Sequence, residues 1–191
     1  MALLSNQNSK LGKLSSFSLP LCSCDKTMNK QCKKYCYANY MYRIYPGYRK
    51  KMMANFRAAK SDDFIGAISY ELAEASYFVR LHVSGDFYSQ AYLNKWMTIA
   101  RRFPNHLFYC YTKAIRLDYT KRPSNLVVYL SDDMQTLQRH YARFDGVCSI
   151  SFDKKPIPGM RLCMHQLLDK VTCGHCQLCM EKGNHIYFNK H

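Results

Sequence analysis

Eight of the ten cysteines fall into two groups, and both groups have the spacing of metal ligands. Cys22, Cys24, Cys32 and Cys36 lie within fifteen residues. Cys163 joins Cys173, Cys176 and Cys179 near the other end. Thiolates bind soft metals, and closely spaced cysteines gather them in advance. Cys24, Cys32 and Cys36 can supply three thiolates from a loop and a helix start. Three ligands on a four-iron cluster leave one iron open to a small molecule. Cys-x2-Cys-x2-Cys at 173, 176 and 179 is a spacing found in cluster ferredoxins. Cys163 completes it as a four-cysteine site. The expectation is an iron–sulfur protein with one or two 4Fe-4S clusters. Zinc is the competing metal, favouring four ligands in a closed tetrahedron. His175 lies inside the second group and can substitute as a ligand. Cys110 and Cys148 stand alone in apolar runs and read as buried apolar residues.

A disulfide scaffold is the competing use of so many cysteines. At 191 residues the chain can build its own core and does not need one. The opening MALLSNQNSKLGKL lacks the basic and long apolar regions of a signal peptide. The apolar runs are strand-sized, so no membrane span is expected. A reducing cytoplasm follows, where cysteines serve as metal ligands more often than as disulfides.

The net charge of +15 suggests a polyanionic partner, usually nucleic acid. From Lys26 to Lys60 there are ten Lys or Arg and no Asp or Glu. Seven aromatic residues are interleaved with them, from Tyr35 to Phe56. Such a segment can stack on bases and pair with phosphates. Lys33, Lys34, Arg49, Lys50 and Lys51 are the candidate contacts to RNA or DNA.

The elements that must position these groups follow from periodicity. Residues 1–21 read as irregular or extended. Gln31–Ile44 and Tyr48–Lys60 read as helices separated by Pro46-Gly47. Ser61-Asp62-Asp63 caps a helix with Phe64, Ile65, Ile68 and Leu72 on one face, running to about Ser76. Tyr77–Val83 is a strand. Ser89 caps a helix carrying Tyr92, Leu93, Trp96, Ile99 and Phe103. Strands follow at Leu107–Thr112 and Leu126–Leu130. Asp132 and Asp133 open a helix over Met134–Arg143, and Val147–Phe152 reads as the last strand. This alternation is the grammar of a parallel α/β sheet. A full barrel needs about 250 residues. The fold class expected is therefore α/β, an open or partial parallel (β/α) barrel over residues 1–153. Residues 154–191 form a cysteine-rich C-terminal tail packed on the same domain.

Alternation places Arg80, His82 and Ser84 on one face of their strand. Polar side chains on a parallel strand suggest a cavity. Ligands in such folds sit beyond the C-terminal strand ends. Those ends carry Ser84-Gly85-Asp86, Thr112-Lys113 and Ser131-Asp132. Arg80, His82 and Lys113 are expected to face one cavity and hold a carboxylate or phosphate.

Five pieces then stand in a distinctive order. They are Asn8-Ser9-Lys10-Leu11-Gly12, Cys24 to Cys36 with Tyr37-Ala38, His82-Val83-Ser84-Gly85-Asp86-Phe87, Tyr111-Thr112-Lys113, and the terminal Cys-x2-Cys-x2-Cys. Together they resemble the phage gene-product-88 family, also found on plasmids, which implies a prokaryotic host. That family is similar in turn to radical S-adenosylmethionine (SAM) proteins. The resemblance implies a truncated radical SAM barrel, SAM as a further cofactor, and Ser84, Gly85 and Asp86 at its amino group. It implies an auxiliary-cluster role for the C-terminal cysteines. The radical SAM spacing Cys-x3-Cys-x2-Cys is not kept, because its third position falls on Asn39. The third ligand must be Cys24 or Cys22. One cluster shared by both cysteine groups is the alternative arrangement. The alternative function is a non-catalytic protein, stabilised by Fe–S or Zn, that binds nucleic acid or a host protein.

Overall fold

A computed structural model describes residues 2–6, 8–24, 30–168 and 170–190, with the backbone alone at 30 and 31. Lys26, where the basic segment begins, lies outside the described residues. Seven strands form one wholly parallel sheet: β1 (Ser15–Phe17), β2 (Phe78–Leu81), β3 (Leu107–Thr112), β4 (Leu126–Ser131), β5 (Gly146–Ser151), β6 (Arg161–Leu162) and β7 (His185–Asn189). Their order is β1-β2-β3-β4-β5-β7-β6. No pairing joins β1 to β6 among the described residues.

The first five strands lie side by side in chain order. Crossovers of one hand that always step the same way stack their helices on the same face. The packing agrees. Phe64, Ile68 and Leu72 of α4 (Phe64–Leu72) and Leu93 and Trp96 of α5 (Gln90–Arg102) share one core with Phe17, Val79, Leu81, Phe108 and Val128. β4 is buried along its whole apolar run, Leu126 to Leu130, as a central parallel strand should be. Ser89 caps α5 by accepting from the Tyr92 amide at 3.2 Å. Asp133 caps α6 (Met134–His140) through the Thr136 amide at 2.9 Å.

The opposite face carries a second core of Leu11, Leu14, Tyr109, Val127, Tyr129, Cys148 and Ile186, roofed by Cys163 and Met180. The segment from 154 therefore does more than wrap the domain. β7 inserts between β5 and β6, so the sheet does not end at Val147–Phe152. The five-residue run of β7 has β-branched and aromatic character but lies outside the strand–helix alternation, which hid it.

Ahead of the sheet's second strand stand α1 (Lys30–Lys34), α2 (Tyr37–Ile44) and α3 (Pro46–Lys60). The helix expected over 31–44 is broken at Cys36, which is extended at φ −70° and ψ 110°. Pro46 starts α3 rather than separating helices by a loop, because its missing N–H costs nothing in a first turn. The tail contributes α7 (Met164–Leu167) and α8 (Cys173–Cys176). No helix among the described residues is long and apolar enough to cross a membrane.

Candidate metal centres

The first cysteine group gathers beyond the C-terminal ends of β2 and β3. A 3-10 turn at Leu21–Ser23 leads into Cys24. This turn lies against Gly85, which has φ +77°. A Cβ on Gly85 would stand 2.5 Å from Ser23 Oγ and 2.6 Å from Leu19 Cβ, so only glycine admits the approach. The close neighbour is the chain's own turn. Ser23 Oγ donates to the Pro20 carbonyl at 2.7 Å and accepts from the Asp86 amide at 3.3 Å. The helices α1 and α2 bring in Cys32 and Cys36. Cys24, Cys32 and Cys36 then line one cavity of about 120 Å3, with Gly85, Asp86 and Lys113 on its wall. Cys22 is exposed and does not line that cavity.

Burial, and after it Asp86 and the neighbouring cysteines, pushes the Cys24 thiol up to about 12. Burial raises Cys32 as well, with Lys113 acting against it. Left to themselves these groups stay protonated near neutral pH. A bound metal inverts that preference, because its charge is the largest in the site.

Ser84, Gly85 and Asp86 hold the strand ends together. Ser84 Oγ donates to the Leu19 carbonyl at 2.8 Å and accepts from Tyr48 Oη at 2.6 Å. Asp86 is buried. Its Oδ1 accepts from the Phe87 amide and Thr112 Oγ1, and its Oδ2 from the Lys113 amide, each at 2.7 Å. Burial still pushes its carboxyl up to about 6 against those bonds. Lys113 Nζ donates to the Ser131 carbonyl and, at 3.1 Å, to Ser131 Oγ.

The second group lies on the sheet face opposite α4 and α5. Cys163, Cys173, Cys176 and Cys179 line one small cavity of about 20 Å3 with Tyr109 and Met180. The Asn8–Gly12 loop supports it. The Cys173 amide donates to the Lys10 carbonyl at 2.9 Å, and the Gly174 amide to Leu11 at 3.2 Å. Gly12 turns at φ +74°, and a Cβ there would meet Thr172 Oγ1 at 2.8 Å. Tyr129 Oη donates to the Leu178 and Glu181 carbonyls at 3.1 and 2.6 Å. His175 is exposed, paired with Thr172 Oγ1, and does not line the cavity. Burial pushes Cys179 up to about 12, opposed by Tyr111 and Arg80.

The two cavities share no lining residue. Tyr109 faces the C-terminal one, and Tyr111, two residues on along the same face of β3, faces the other. As placed, no three His, Cys, Asp or Glu side chains among the described residues converge tightly enough to hold a single metal ion.

Arg80 sits between the two groups. Its guanidinium lies 4.1 Å over the Tyr111 ring and 5.2 Å from Tyr109. No carboxylate pairs with it among the described residues. His82 does not share that face, contrary to the alternation argument. β2 ends at Leu81, and His82 turns left-handed at φ 57°, which breaks the two-residue period. Its side chain enters the helix-side core, with Nε2 3.0 Å from Tyr92 Oη and the ring edge-on to Phe87. Burial, reinforced by Arg80, lowers its pKa to about 3. His82 is therefore a neutral core residue and not an anion ligand.

Of the basic segment, Lys33, Lys34, Arg49 and Lys50 are exposed. Lys51 is partly buried and already holds two acceptors. Its ammonium donates to the Ala2 and Leu4 carbonyls, and burial lowers its pKa. Tyr109 has no place among the sequence-based site residues, and Tyr111 and Ser131 enter there only as part of a motif and a strand end. Their signal was the same polar alternation that picked out Arg80, carried by the next two strands.

The family model for "Gene product 88" matches residues 2–183. The Gene 88 protein of Mycobacterium phage L5 is 25% identical over 190 residues, covering 83% of this chain and 78% of its own. The Gene 88 protein of Mycobacterium phage D29 is 28% identical over 118 residues, covering 53% of this chain and 49% of its own. No solved structure is significantly similar. With matched residues extending across nearly all of its length, the chain belongs to the gene product 88 family.

Proposed function

We propose that this is an iron–sulfur protein of the bacterial cytoplasm, built on a radical-SAM-like partial barrel, that acts on or binds nucleic acid. One observation carries the reading. Cys24, Cys32 and Cys36, the last two separated by a helix break, line a single cavity at the C-terminal strand ends beside Gly85-Asp86. That is where parallel α/β folds place their ligands. The unreversed order of β1 to β5, with helices on one face, supports the partial barrel. Cys24, Cys32 and Cys36 would hold a four-iron cluster, and Cys163, Cys173, Cys176 and Cys179 a second. When bound, such a cluster supplies one-electron reduction of a small molecule at its open iron. The chain's own part is to keep that molecule in place and water out. Asp86 has used three of roughly four acceptor positions and keeps one for an amino group such as that of SAM. Lys113 and the exposed Lys33, Lys34, Arg49 and Lys50 supply positive charge for a polyanion.

Anaerobically purified protein should be brown, absorb near roughly 400 nm and contain iron and sulfide. A colourless protein with stoichiometric zinc refutes the cluster. Reduction with dithionite in the presence of SAM should release 5′-deoxyadenosine, and Asp86→Ala should abolish SAM binding. The hydrogen bonds that already occupy both Asp86 oxygens favour a second reading, in which the site is metal-stabilised and non-catalytic. Wild type that holds iron but neither binds nor cleaves SAM establishes that second reading.

A further inference from the structure

Cys32, Lys113 and Ser131 border two cavities at once. Beside the thiol cavity runs a cleft of about 210 Å3, with Asp132, Ser149 and Phe152 among its walls. Phe152 is 37% exposed, so it stands at the rim. Its ring centroid is 5.2 Å from that of Tyr35, itself 39% exposed. Two ammonium groups lie over the Tyr35 ring, Lys190 Nζ at 4.2 Å and Lys34 Nζ at 5.2 Å from its centre. Lys34 ends α1 and Tyr35 follows it, while Phe152 and Lys190 come just after β5 and β7, so the tertiary structure brings three separate segments together.

The combination is chemically selective. The two exposed rings, tilted 49° to each other, offer apolar ring surface to a planar base once the ammonium groups over Tyr35 swing to its phosphates, and such stacking is worth about tenfold or more in affinity per base. The ammonium groups add attraction for phosphate. A simple anion would need the lysines and not the rings. An apolar peptide would need the rings and not the charge. A base in a duplex has both faces covered by its neighbours, so only an unpaired base can use the platform. The net charge of +15 suits the same ligand.

We propose that Tyr35 and Phe152 form a base-stacking platform for single-stranded nucleic acid, that Lys34 and Lys190 meet its phosphates, and that the adjoining cleft receives the base presented to the Cys24, Cys32 and Cys36 site. This deepens the reading above by giving its substrate class. The platform itself does not depend on the metal.

The test is fluorescence anisotropy with oligo-dT and oligo-rA of about twelve nucleotides, within the usual site size, against a duplex of equal length. Single strands should bind more tightly than the duplex at every salt concentration. Tyr35→Ala and Phe152→Ala should each weaken single-strand binding about tenfold while leaving the salt slope unchanged. Lys34→Gln with Lys190→Gln should lower the slope by about 0.7 for each phosphate no longer neutralised. Tyr35→Phe and Phe152→Tyr keep a ring and should bind like wild type, which separates stacking from misfolding. Duplex binding equal to single-strand binding overturns the proposal. So does alanine at either ring with no loss of affinity. Metal content is measured on the same preparations. A metal-free chain that still binds through both rings refutes the cluster reading and leaves the platform standing. A metal-bearing chain indifferent to both rings does the reverse.

Discussion

Replacing Gly85 with alanine tests the role assigned to the tightest approach in the first cysteine site. The backbone there has φ +77°, and the new Cβ would lie 2.5 Å from Ser23 Oγ, 2.6 Å from Leu19 Cβ and 2.9 Å from the Leu19 carbonyl. A left-handed residue with a side chain costs about 1–2 kcal/mol. Overpacking a fixed site adds about 1–3 kcal/mol. Ser23 cannot swing aside freely, because its hydroxyl is held by the Pro20 carbonyl and the Asp86 amide. The sum is about 3 kcal/mol, or a melting point lower by roughly 6–12 °C for a chain of this size. Thermal melting by circular dichroism measures it. Gly47→Ala is the control. Gly47 lies in α3 with nothing within 4 Å of its added Cβ, so that change should be neutral or stabilise by about 0.4–1 kcal/mol. The two substitutions make the same chemical change, so the difference between them isolates position. If Gly85→Ala melts within about 2 °C of wild type, the turn before Cys24 is not held by this contact, and the explanation of the Ser84-Gly85-Asp86 motif fails.

Three further outcomes follow from the geometry. Gly12→Ala should raise amide hydrogen exchange at Cys173 and Gly174, because the loop that accepts their hydrogen bonds is strained by about 1–2 kcal/mol; unchanged exchange would mean the loop does not support α8. His82 is held neutral by burial, with a folded pKa of about 3 against 6.5 unfolded, so its stabilisation is complete above pH 6.5 and is lost as pH falls, at up to about 1.4 kcal/mol per pH unit. His82→Gln should flatten that slope in denaturant titrations between pH 6.5 and 4, and an equally steep slope would refute the assignment. Arg122 pairs with the buried Asp145 through Nε at 2.9 Å and Nη2 at 3.0 Å. Burial opposes the charge on Asp145, yet Arg122 and the Val128 amide hold its carboxyl below the usual range. Arg122→Met should cost about 1–2 kcal/mol at pH 7, less than for a fully buried pair because Lys182 Nζ still stands 3.4 Å from Asp145 Oδ1. That penalty should shrink as pH falls below about 4 and Asp145 protonates; a penalty independent of pH would exclude the ion pair as its cause.

The sequence by itself determined the local parts. The periodicity of Phe64, Ile68 and Leu72 gave α4, and the Ser89 and Asp133 caps were visible as residue types before a helical run, because capping is a bond between near neighbours in the chain. The apolar runs at 107–112 and 126–130 were legible as strands for the same reason, the second extending one residue further in the fold. The two cysteine groups, the isolated Cys110 and Cys148, and the glycine at 85 were all marked by type and spacing. What the tertiary structure decided was every relation between distant segments. Strand alternation put His82 beside Arg80, but one left-handed residue after Leu81 sent it to the opposite core. A run of cations grouped Lys51 with the exposed lysines, whereas the fold sets its ammonium against two carbonyls 47 and 49 residues away. The purpose of Asn8–Gly12 emerged only when it met α8, more than 160 residues later, through the hydrogen bonds to Cys173 and Gly174. Sequence left Cys22 and Cys24 as alternatives, and only Cys24 lines the cavity, because Gly85 clamps the turn just before it. Spacing along the chain carries the chemistry a residue is capable of. Which partners it meets depends on contacts between segments far apart in the chain, and those form only when the sheet brings its strand ends together.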